Sequence, residues 1–419
     1  MERFNPWWRG DPDPAYEGWK KLRINWIPTE ISKLSLAPFS LNFISGSRQV
    51  GKTTMIKLLI HQLLKKSHRN SIFYYSCDEL SDYRELSEVL KDYLGARGAR
   101  NVRSSFIFLD EVTFVHDWWR AVKAAIDQGS VANDVITITG SASLELLKQK
   151  ERFPGRRGKG TDVVLRPLGF RSYVKALSKL EPLAMTDLFH AQQAIEGNRV
   201  YDATLESRFH MYLTSGGFPL AVREMVEEGA VGEGSRKAFL DGLRTDWLRS
   251  GKSEGFMKEV IGYVAEARGT PVSWLSISKA TSIGSPNTAR SYVETLEDLM
   301  VLLSAKILTP QGNIIGRKNK KLHFVDPFIY TVLSDYAGVK ADEAAVVEST
   351  VSSHLARMHE VFHWRNKSEV DMVLQLGREQ LGIEVKWGFK TGSKPRHIRN
   401  YLSLDRKSTP AFLASLPFA

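Results

Sequence analysis

The sequence is poor in cysteine and has no long apolar run, and both shortages limit the classes of protein that it can form. Cys77 is the single cysteine among 419 residues, so an intrachain disulfide and a multi-cysteine zinc site are excluded. We interpret it as a small, partly buried residue in a reducing compartment. No apolar stretch reaches the roughly 18 to 20 residues of a membrane span, and "MERFNPWWRGDPDP" lacks an apolar signal core. The sequence therefore predicts a soluble, cytoplasmic protein without a membrane partner.

The composition is that of a globular protein with excess positive charge. Hydrophobic residues make up 42% and charged residues 25% of the 419, so we expect roughly two to four domains with real cores. Lys and Arg outnumber Asp and Glu by 58 to 47, which gives a net charge of +11. This excess favours polyanionic partners, nucleic acid foremost, although charge alone identifies none.

The chain divides by pattern into five segments. Residues 1–30 predict an irregular arm whose four tryptophans, Trp7, Trp8, Trp19 and Trp26, dock on a body. In residues 31–165, the apolar runs "SLNFIS", "SIFYYSC", "SFIFLDE" and "DVITITGS" alternate with helical stretches, which predicts a parallel sheet covered on both faces. We expect a helical lid or connector in residues 166–255, three helices and a short hairpin in residues 256–337, and a helix followed by strands in residues 338–419.

The stretch "GSRQVGKTT" follows the first predicted strand and precedes a predicted helix, which is the context of a phosphate-binding P-loop. Its glycines let backbone amides converge on phosphates, Lys52 reaches the β and γ phosphates, and Thr53 is expected to ligate Mg²⁺. The predicted ATP-binding residues are Gly46, Ser47, Arg48, Gln49, Val50, Gly51, Lys52, Thr53 and Thr54. A glycine turn that merely caps a helix is the alternative.

The strand "FIFLDE" supplies the acidic element that a P-loop site needs. It delivers Asp110 and Glu111 to the carboxyl edge of the sheet, where ligands of open α/β sheets bind. We predict that Asp110 holds Mg²⁺ through water and that Glu111 polarises the attacking water. Acids that end a strand only for solubility are the alternative. One strand further, "DVITITGSAS" brings Thr139 and Ser141 to the same edge, and we prefer Ser141 as the residue that orients water or senses the γ phosphate.

The stretch "FPGRRGKG" places two arginines on a glycine-flanked loop. Arg156, or its neighbour Arg157, is a candidate to reach the nucleotide of an adjacent subunit and stabilise transition-state charge. This candidate suggests a homo-oligomer. An ordinary solvated basic loop explains the two residues equally well.

With these motifs the chain resembles a family of archaeal and bacterial AAA+-type ATPases whose C-terminal half ends in a nuclease-like domain. The resemblance spans nearly the whole chain and rests on "GSRQVGKTT", "FIFLDEVTFVHDWWRAVK", "ITGSASLELL", "LRPLGFRSYV", "SGGFP", "SEVDMVL" and "GIEVK". It implies an AAA+-like P-loop core that uses ATP and Mg²⁺. "FPGRRG" departs from the plainer Gly-Arg that we expect after a short helix, which leaves the choice between Arg156 and Arg157 open.

Residues 256–337 fit a helix-turn-helix with a wing. Ser285 to Asn287 look like a turn and cap before a helix with an apolar face, and "GRKNKKLHF" follows in the hairpin. The candidate DNA-binding residues are Arg290, Arg317, Lys318, Lys320 and Lys321. Because acidic residues share the second helix, a winged helix that docks on a protein partner is the alternative.

"RNKSEVDMVLQLGREQLGIEVKWG" contains a second possible chemistry. Asp371 lies on one predicted strand, and Glu384 and Lys386 project from one face of the next, because strand side chains alternate. Two carboxylates bind a hard cation, here a second Mg²⁺ or Mn²⁺, and a lysine orients water against a phosphodiester. The pattern resembles the PD-(D/E)xK nuclease fold, with Glu348 as the acid of the preceding helix. The alternatives are a solvated cross-strand ion pair and a nuclease-like fold kept only for binding.

The sequence therefore predicts an α/β protein with a P-loop AAA+-like core, a helical lid, a winged helix and a C-terminal restriction-endonuclease-like domain. Its predicted function is ATP hydrolysis with Mg²⁺, coupled to DNA binding, remodelling or metal-dependent cleavage. The competing prediction is a regulatory nucleotide switch whose C-terminal domains bind protein and cleave nothing.

Overall fold

The computed structural model describes residues 1–140, 152–365, 369–388 and 398–417. It divides the chain into two compact units, residues 1–166 and residues 167–419. Along the described ranges, no helix is both long enough and apolar enough to cross a bilayer.

The first unit is built on a five-stranded parallel sheet. Its strands are β1 (Ser40–Ser45), β2 (Ile72–Ser76), β3 (Phe106–Asp110), β4 (Val135–Thr139) and β5 (Asp162–Val164), and its helices are α1 (Pro14–Lys21), α2 (Lys52–Leu64), α3 (Tyr83–Ala99) and α4 (Trp119–Asp127). The spatial order is β2-β3-β4-β1-β5. Both β1 and β4 are buried along their whole length, as strands of parallel sheets covered on both faces are. The predicted parallel sheet is confirmed.

The N-terminal arm covers the open edge of β2. The Asn5 side chain accepts a hydrogen bond from the Tyr74 amide at 2.7 Å and donates one to the Tyr74 carbonyl at 2.9 Å. The indole N–H groups of Trp7 and Trp8 both donate to the Ile72 carbonyl, at 3.1 and 2.9 Å. These side chains satisfy backbone groups that an edge strand would otherwise expose. The predicted docking of the first two tryptophans is confirmed, whereas α1 is a regular helix within the arm that was predicted to be irregular.

The second unit begins with the helices that the sequence predicts: α5 (Phe170–Ser178), α6 (Ala191–Gly197), α7 (Asp202–Ser215), α8 (Pro219–Glu227) and α9 (Glu233–Arg249). The glycine interruption between α7 and α8 has a packing cause. Asp326 accepts a hydrogen bond from the Gly217 amide at 3.0 Å, and a Cβ on Gly216 would lie 1.8 Å from the Asp326 carboxylate. Gly216 also has a φ of 54°, so no other residue fits this turn.

A seven-stranded sheet and further helices complete the second unit. The helices are α10 (Glu254–Ala267), α11 (Trp274–Ala280), α12 (Pro286–Asp298), α13 (Pro327–Ala337), α14 (Glu343–Leu355) and α15 (Ser408–Ser415). The strands are β6 (Leu302–Leu308), β7 (Ile314–Ile315), β8 (Lys321–Phe324), β9 (Val361–Arg365), β10 (Glu369–Leu376), β11 (Glu379–Lys386) and β12 (Asn400–Asp405). Their order is β12-β11-β10-β9-β6-β7, with β8 on β6. Since β6 pairs in parallel with β9, the sheet is continuous across the boundary predicted at residue 337.

Candidate functional site

The predicted phosphate loop connects β1 to α2. A Cβ on Gly46 would lie 2.4 Å from the Leu165 carbonyl oxygen, so only glycine allows β5 to approach this closely. Gln49 and Gly51 have positive φ angles of 59° and 100°. Left-handed conformations of this kind occur in the backbone nests that bind anions.

The Lys52 side chain lies inside this loop. It is only 5% exposed, and its ammonium donates to the carbonyls of Gly46 and Ser47, each at 2.9 Å. The carbonyl groups of the loop therefore hold the Lys52 ammonium where the phosphates of a nucleotide are expected.

The two residues predicted to hold Mg²⁺ are in contact. The Thr53 hydroxyl, at the start of α2, donates to the Asp110 carboxylate at 2.7 Å, and Asp110 is buried at the end of β3. The Thr139 hydroxyl, at the end of β4, donates to the other carboxylate oxygen. A hydroxyl and a carboxylate are the hard oxygen ligands that Mg²⁺ prefers, so these residues fit the ion.

Tyr74 belongs to this site, although the sequence analysis missed it. Its hydroxyl donates to the same Asp110 oxygen at 2.9 Å. Burial, and then the charge of Asp110, raises the pKa of Tyr74 well above its usual value, so the hydroxyl stays a donor. The detectable signal was periodicity, because Tyr74 shares a face of β2 with Ser76, and Ser76 lies opposite Asp110 in the sheet register.

Lys57 of α2 connects this site to the N-terminal arm. Its ammonium lies 3.1 Å from the Asp13 carboxylate and 3.7 Å from the ring centroid of Tyr74. Burial lowers the pKa of Lys57, while Asp13 acts in the opposite direction. Since Asp13 also caps α1, the arm helix is attached to the helix that carries Thr53.

Two further predicted site residues lie at the carboxyl edge of the sheet. Glu111 has a φ of 56°, and its backbone amide donates to the Thr139 hydroxyl at 3.2 Å. This left-handed position directly after Asp110 turns the chain at the strand end. Ser141 lies outside the described residues, so its predicted role stays a prediction.

The arginine candidates lie at the opposite edge of the sheet. Arg156 pairs with Asp127 at 2.6 Å, and Arg157 pairs with Asp162 at 2.6 Å. The Leu41 amide, near the amino end of β1, donates to the Arg157 carbonyl, whereas the P-loop follows the carboxyl end of that strand. The intervening strand is about 16 Å long. The predicted role of either arginine at the nucleotide of an adjacent subunit stays a prediction.

The parallel sheet, the loop around Lys52 and the Thr53–Asp110 contact are those of a P-loop domain in the first unit. Residues 39–174, which include most of the first unit, match a family model described as an AAA domain. Two further models, described as domains of unknown function, match residues 206–342 (DUF8612) and 341–415 (DUF4143).

Individual proteins show weaker similarity. An uncharacterized protein of Methanocaldococcus jannaschii, MJ1637, is 24% identical over 377 residues, which cover 84% of this chain and 77% of that protein. The Aeropyrum pernix ORC2 protein, solved in ADPNP-ADP complexes, covers 71% of this chain and 88% of its own at 11% identity, with a TM-score of 0.39. The Aeropyrum pernix ORC1 protein in complex with DNA covers 76% and 88% at 14% identity, with a TM-score of 0.30.

Four of the five candidate DNA-binding residues reach the surface of the second unit. Arg290 on α12 is exposed and pairs with Glu294 at 2.7 Å. Arg317 and Lys318 are exposed in the loop before β8. Lys320 is partly exposed, with its ammonium 4.5 Å from the ring centroid of Trp274.

The prediction that Lys321 is a DNA-binding cation of the wing is wrong, because only 1% of this residue is exposed. It begins β8, whose residues are all buried and which pairs with β6. Its ammonium lies 2.9 Å from Glu348, 2.9 Å from Asp371 and 3.3 Å from Glu369. Burial disfavours this ammonium, but the carboxylates outweigh burial and raise the pKa of Lys321. Lys321 is an internal cation and does not face DNA.

Two of the four predicted nuclease residues, Glu348 and Asp371, contact this ammonium. Asp371 also accepts a hydrogen bond from the Val385 amide at 3.1 Å, and Glu384 accepts one from the Tyr401 hydroxyl. Burial raises the pKa of Glu348 to about 7, against the opposing charge of Lys321. Among the described residues, no group of three or more His, Cys, Asp and Glu side chains is arranged to hold a metal ion. These residues do not fit the second metal that the sequence predicts.

Proposed function

We propose that the chain hydrolyses ATP in its first unit and couples hydrolysis to DNA binding or remodelling through its second unit. The observation that supports the ATPase part is the contact between Thr53 and Asp110 beside the loop that holds Lys52. Thr53 and Asp110 would hold Mg²⁺, which neutralises phosphate charge when bound. Lys52 and the loop amides bind the phosphates, and Glu111 polarises the attacking water.

A basic cleft in the second unit supports the DNA part of the proposal. The cleft measures about 410 Å³ and is lined by Pro271, Ile307, Lys318, Asn319, His363 and Arg365. Lys318 is exposed in the loop before β8, where Arg317 precedes it, and Arg365 is exposed at the end of β9, with its guanidinium 3.7 Å from Glu369. Cations held at the rim of a groove are suited to phosphate contacts, which position a nucleic acid without reading its sequence.

The regulatory switch is the competing function, and one observation favours it. On α12, the Arg290 guanidinium is paired with Glu294, so the helix that would enter a DNA groove presents both signs of charge. A surface of mixed charge is suited to a protein partner. In that case DNA would leave ATP turnover unchanged.

DNA-stimulated ATP turnover by the full chain separates these functions. Single-stranded, duplex and forked DNA are compared at roughly 50 and 200 mM salt, because phosphate contacts weaken steeply over that range. We expect stimulation at low salt that is lost in the double variant Arg317→Ala with Lys318→Ala. The matched control, Lys66→Ala with Lys237→Ala, removes the same charge from exposed sites elsewhere. Turnover that ignores all three DNAs at low salt would contradict the proposal and favour the switch.

Metal-dependent cleavage of DNA is the other activity that the sequence predicts for the second unit. We propose binding without cleavage, because an ammonium occupies the centre that Glu348 and Asp371 share. Labelled DNA is incubated with Mg²⁺ or Mn²⁺, with and without ATP, and we expect no products. Cleavage that is lost in both Asp371→Ala and Lys386→Ala would instead establish a nuclease.

A further inference from the structure

The acidic cluster of the second unit already contains a cation. Lys321 enters it from β8, Glu348 from α14, and Asp371 and Glu369 from β10, with ammonium-to-carboxylate distances of 2.9, 2.9 and 3.3 Å. The Lys321 side chain is 2% exposed, so water contributes little to its solvation. A buried ammonium is stable only where carboxylates of this kind compensate it.

We propose that Lys321 is a built-in replacement for the divalent cation of a nuclease-like site, so that the wild-type cluster binds no divalent metal. The proposal concerns only the second unit, and it requires neither ATP hydrolysis nor DNA binding.

The surroundings of the carboxylates leave little room for an ion. One Asp371 oxygen faces Lys321 and the other accepts from the Val385 amide. The backbone of Gly269 packs closely against Glu348, since a Cβ at that position would lie 3.0 Å from the nearest Glu348 carboxylate oxygen. Mg²⁺ binds oxygens at about 2.0 to 2.1 Å and keeps several waters, so it would have to displace the ammonium that stands between the two carboxylates.

The same geometry predicts how the site responds when the lysine loses its charge. Lys321→Met keeps an unbranched, apolar side chain of similar length and removes the ammonium. Glu348 and Asp371 then lie together without their cation, and uncompensated carboxylates in a buried site demand either protons or a new cation. Loss of the internal cation should therefore create a metal site.

The test is Mn²⁺ binding to the full, nucleotide-free chain, measured by electron paramagnetic resonance. All variants carry Asp110→Asn, which removes the metal ligand of the ATP site. We expect no stoichiometric binding by this parent. Addition of Lys321→Met should give about one bound Mn²⁺ per chain, at least about tenfold tighter than the parent, and further addition of Asp371→Asn should abolish it. Lys321→Arg keeps the positive charge and should gain nothing.

Two outcomes would overturn the proposal. The first is a folded Lys321→Met variant that gains no Mn²⁺ site. The second is a parent that binds about one Mn²⁺ and loses it on addition of Asp371→Asn, because the lysine then shares the cluster with a metal. This second comparison leaves Lys321 in place, so it decides the question even if Lys321→Met fails to fold, as circular dichroism would reveal.

Discussion

The two units each combine a buried lysine with carboxylates, and they satisfy these charges in opposite ways. In the first unit, the Asp110 carboxylate accepts from the hydroxyls of Thr53, Tyr74 and Thr139, while Lys52 donates to backbone carbonyls of the P-loop. In the second unit, Lys321 donates directly to carboxylates.

This difference decides what each site can bind. Neutral hydroxyls hold a carboxylate in place without cancelling its charge, and hydroxyl oxygens are themselves ligands for a hard cation. An ammonium in ion-pair contact cancels the charge that would attract a metal. Similar residue types therefore surround a carboxylate with neutral hydroxyl donors in one unit and with an ammonium in the other.

The largest expected effect is on ligand binding by the first unit. Lys52→Ala should abolish tight ATP binding, with a loss of at least about a hundredfold in affinity, because the cation that faces the phosphates is removed. Isothermal titration calorimetry with ATP and Mg²⁺ measures the change. Lys65→Ala, an exposed cation just beyond α2, is the matched control and should bind normally. ATP affinity unchanged by Lys52→Ala would contradict the assignment of this loop.

The second prediction concerns Lys321 of the second unit, whose replacement should lower the stability of that unit and leave ATP binding unchanged. Lys321→Ala leaves Glu348 and Asp371 without their shared cation, and breaking one side of a buried ion pair typically costs about 3 to 5 kcal/mol. The free energy of unfolding of the second unit is measured with urea, and ATP affinity is measured alongside it. Lys320→Ala, one residue earlier and partly exposed, should change the stability much less. If Lys320→Ala lowered the free energy of unfolding as much as Lys321→Ala, the ion pairs of Lys321 with Glu348 and Asp371 would not be what stabilises the second unit.

The sequence predicted the first site far better than the second, for a physical reason. The P-loop is one short stretch whose strand and helix neighbours are adjacent in the chain, and the acids of β3 follow from the rule that ligands bind at the carboxyl edge. Lys321, by contrast, lies in a run of cations that looks solvated, and its partners Glu348 and Asp371 are 27 and 50 positions away. Tyr74 was missed for the same reason, since 36 positions separate it from Asp110.

Asp326 is a third buried carboxylate, and its hydrogen-bond donors are backbone amides. Asp326 accepts from the amides of Gly217 and Phe328, and burial raises the pKa of Asp326 to about 6 against these hydrogen bonds. Its folded-state pKa thus exceeds the value of about 3.8 expected when unfolded. The stability it contributes is present below pH 3.8 and is lost as the pH rises towards 6, by about 3 kcal/mol.

Asp326→Asn tests this pH dependence, which urea unfolding between pH 4 and pH 7 measures. An Asn side chain keeps one of the two acceptor oxygens, so some loss of stability is expected at every pH. The difference between wild type and variant should nevertheless narrow as the pH rises from about 4 to about 6 and then level off, because over that range the unfolded wild type has lost the proton that the folded wild type still holds. A difference that stays constant with pH would mean that Asp326 is ionised throughout this range.

The smallest expected effect tests the hydroxyl donors of the first site. Tyr74→Phe removes one hydrogen bond to Asp110 and keeps the ring that packs beside Lys57. Because Tyr74 positions the carboxylate without touching the nucleotide, ATP affinity without Mg²⁺ should be unchanged. The Mg²⁺ concentration that gives half-maximal turnover should rise by about three- to tenfold, which corresponds to the net value of one typical hydrogen bond. Tyr75→Phe, on the other face of β2, is the matched control. If the Mg²⁺ requirement were unchanged, Thr53 and Thr139 alone would position the Asp110 carboxylate. The Tyr74 hydroxyl would then be a structural donor with no part in metal binding.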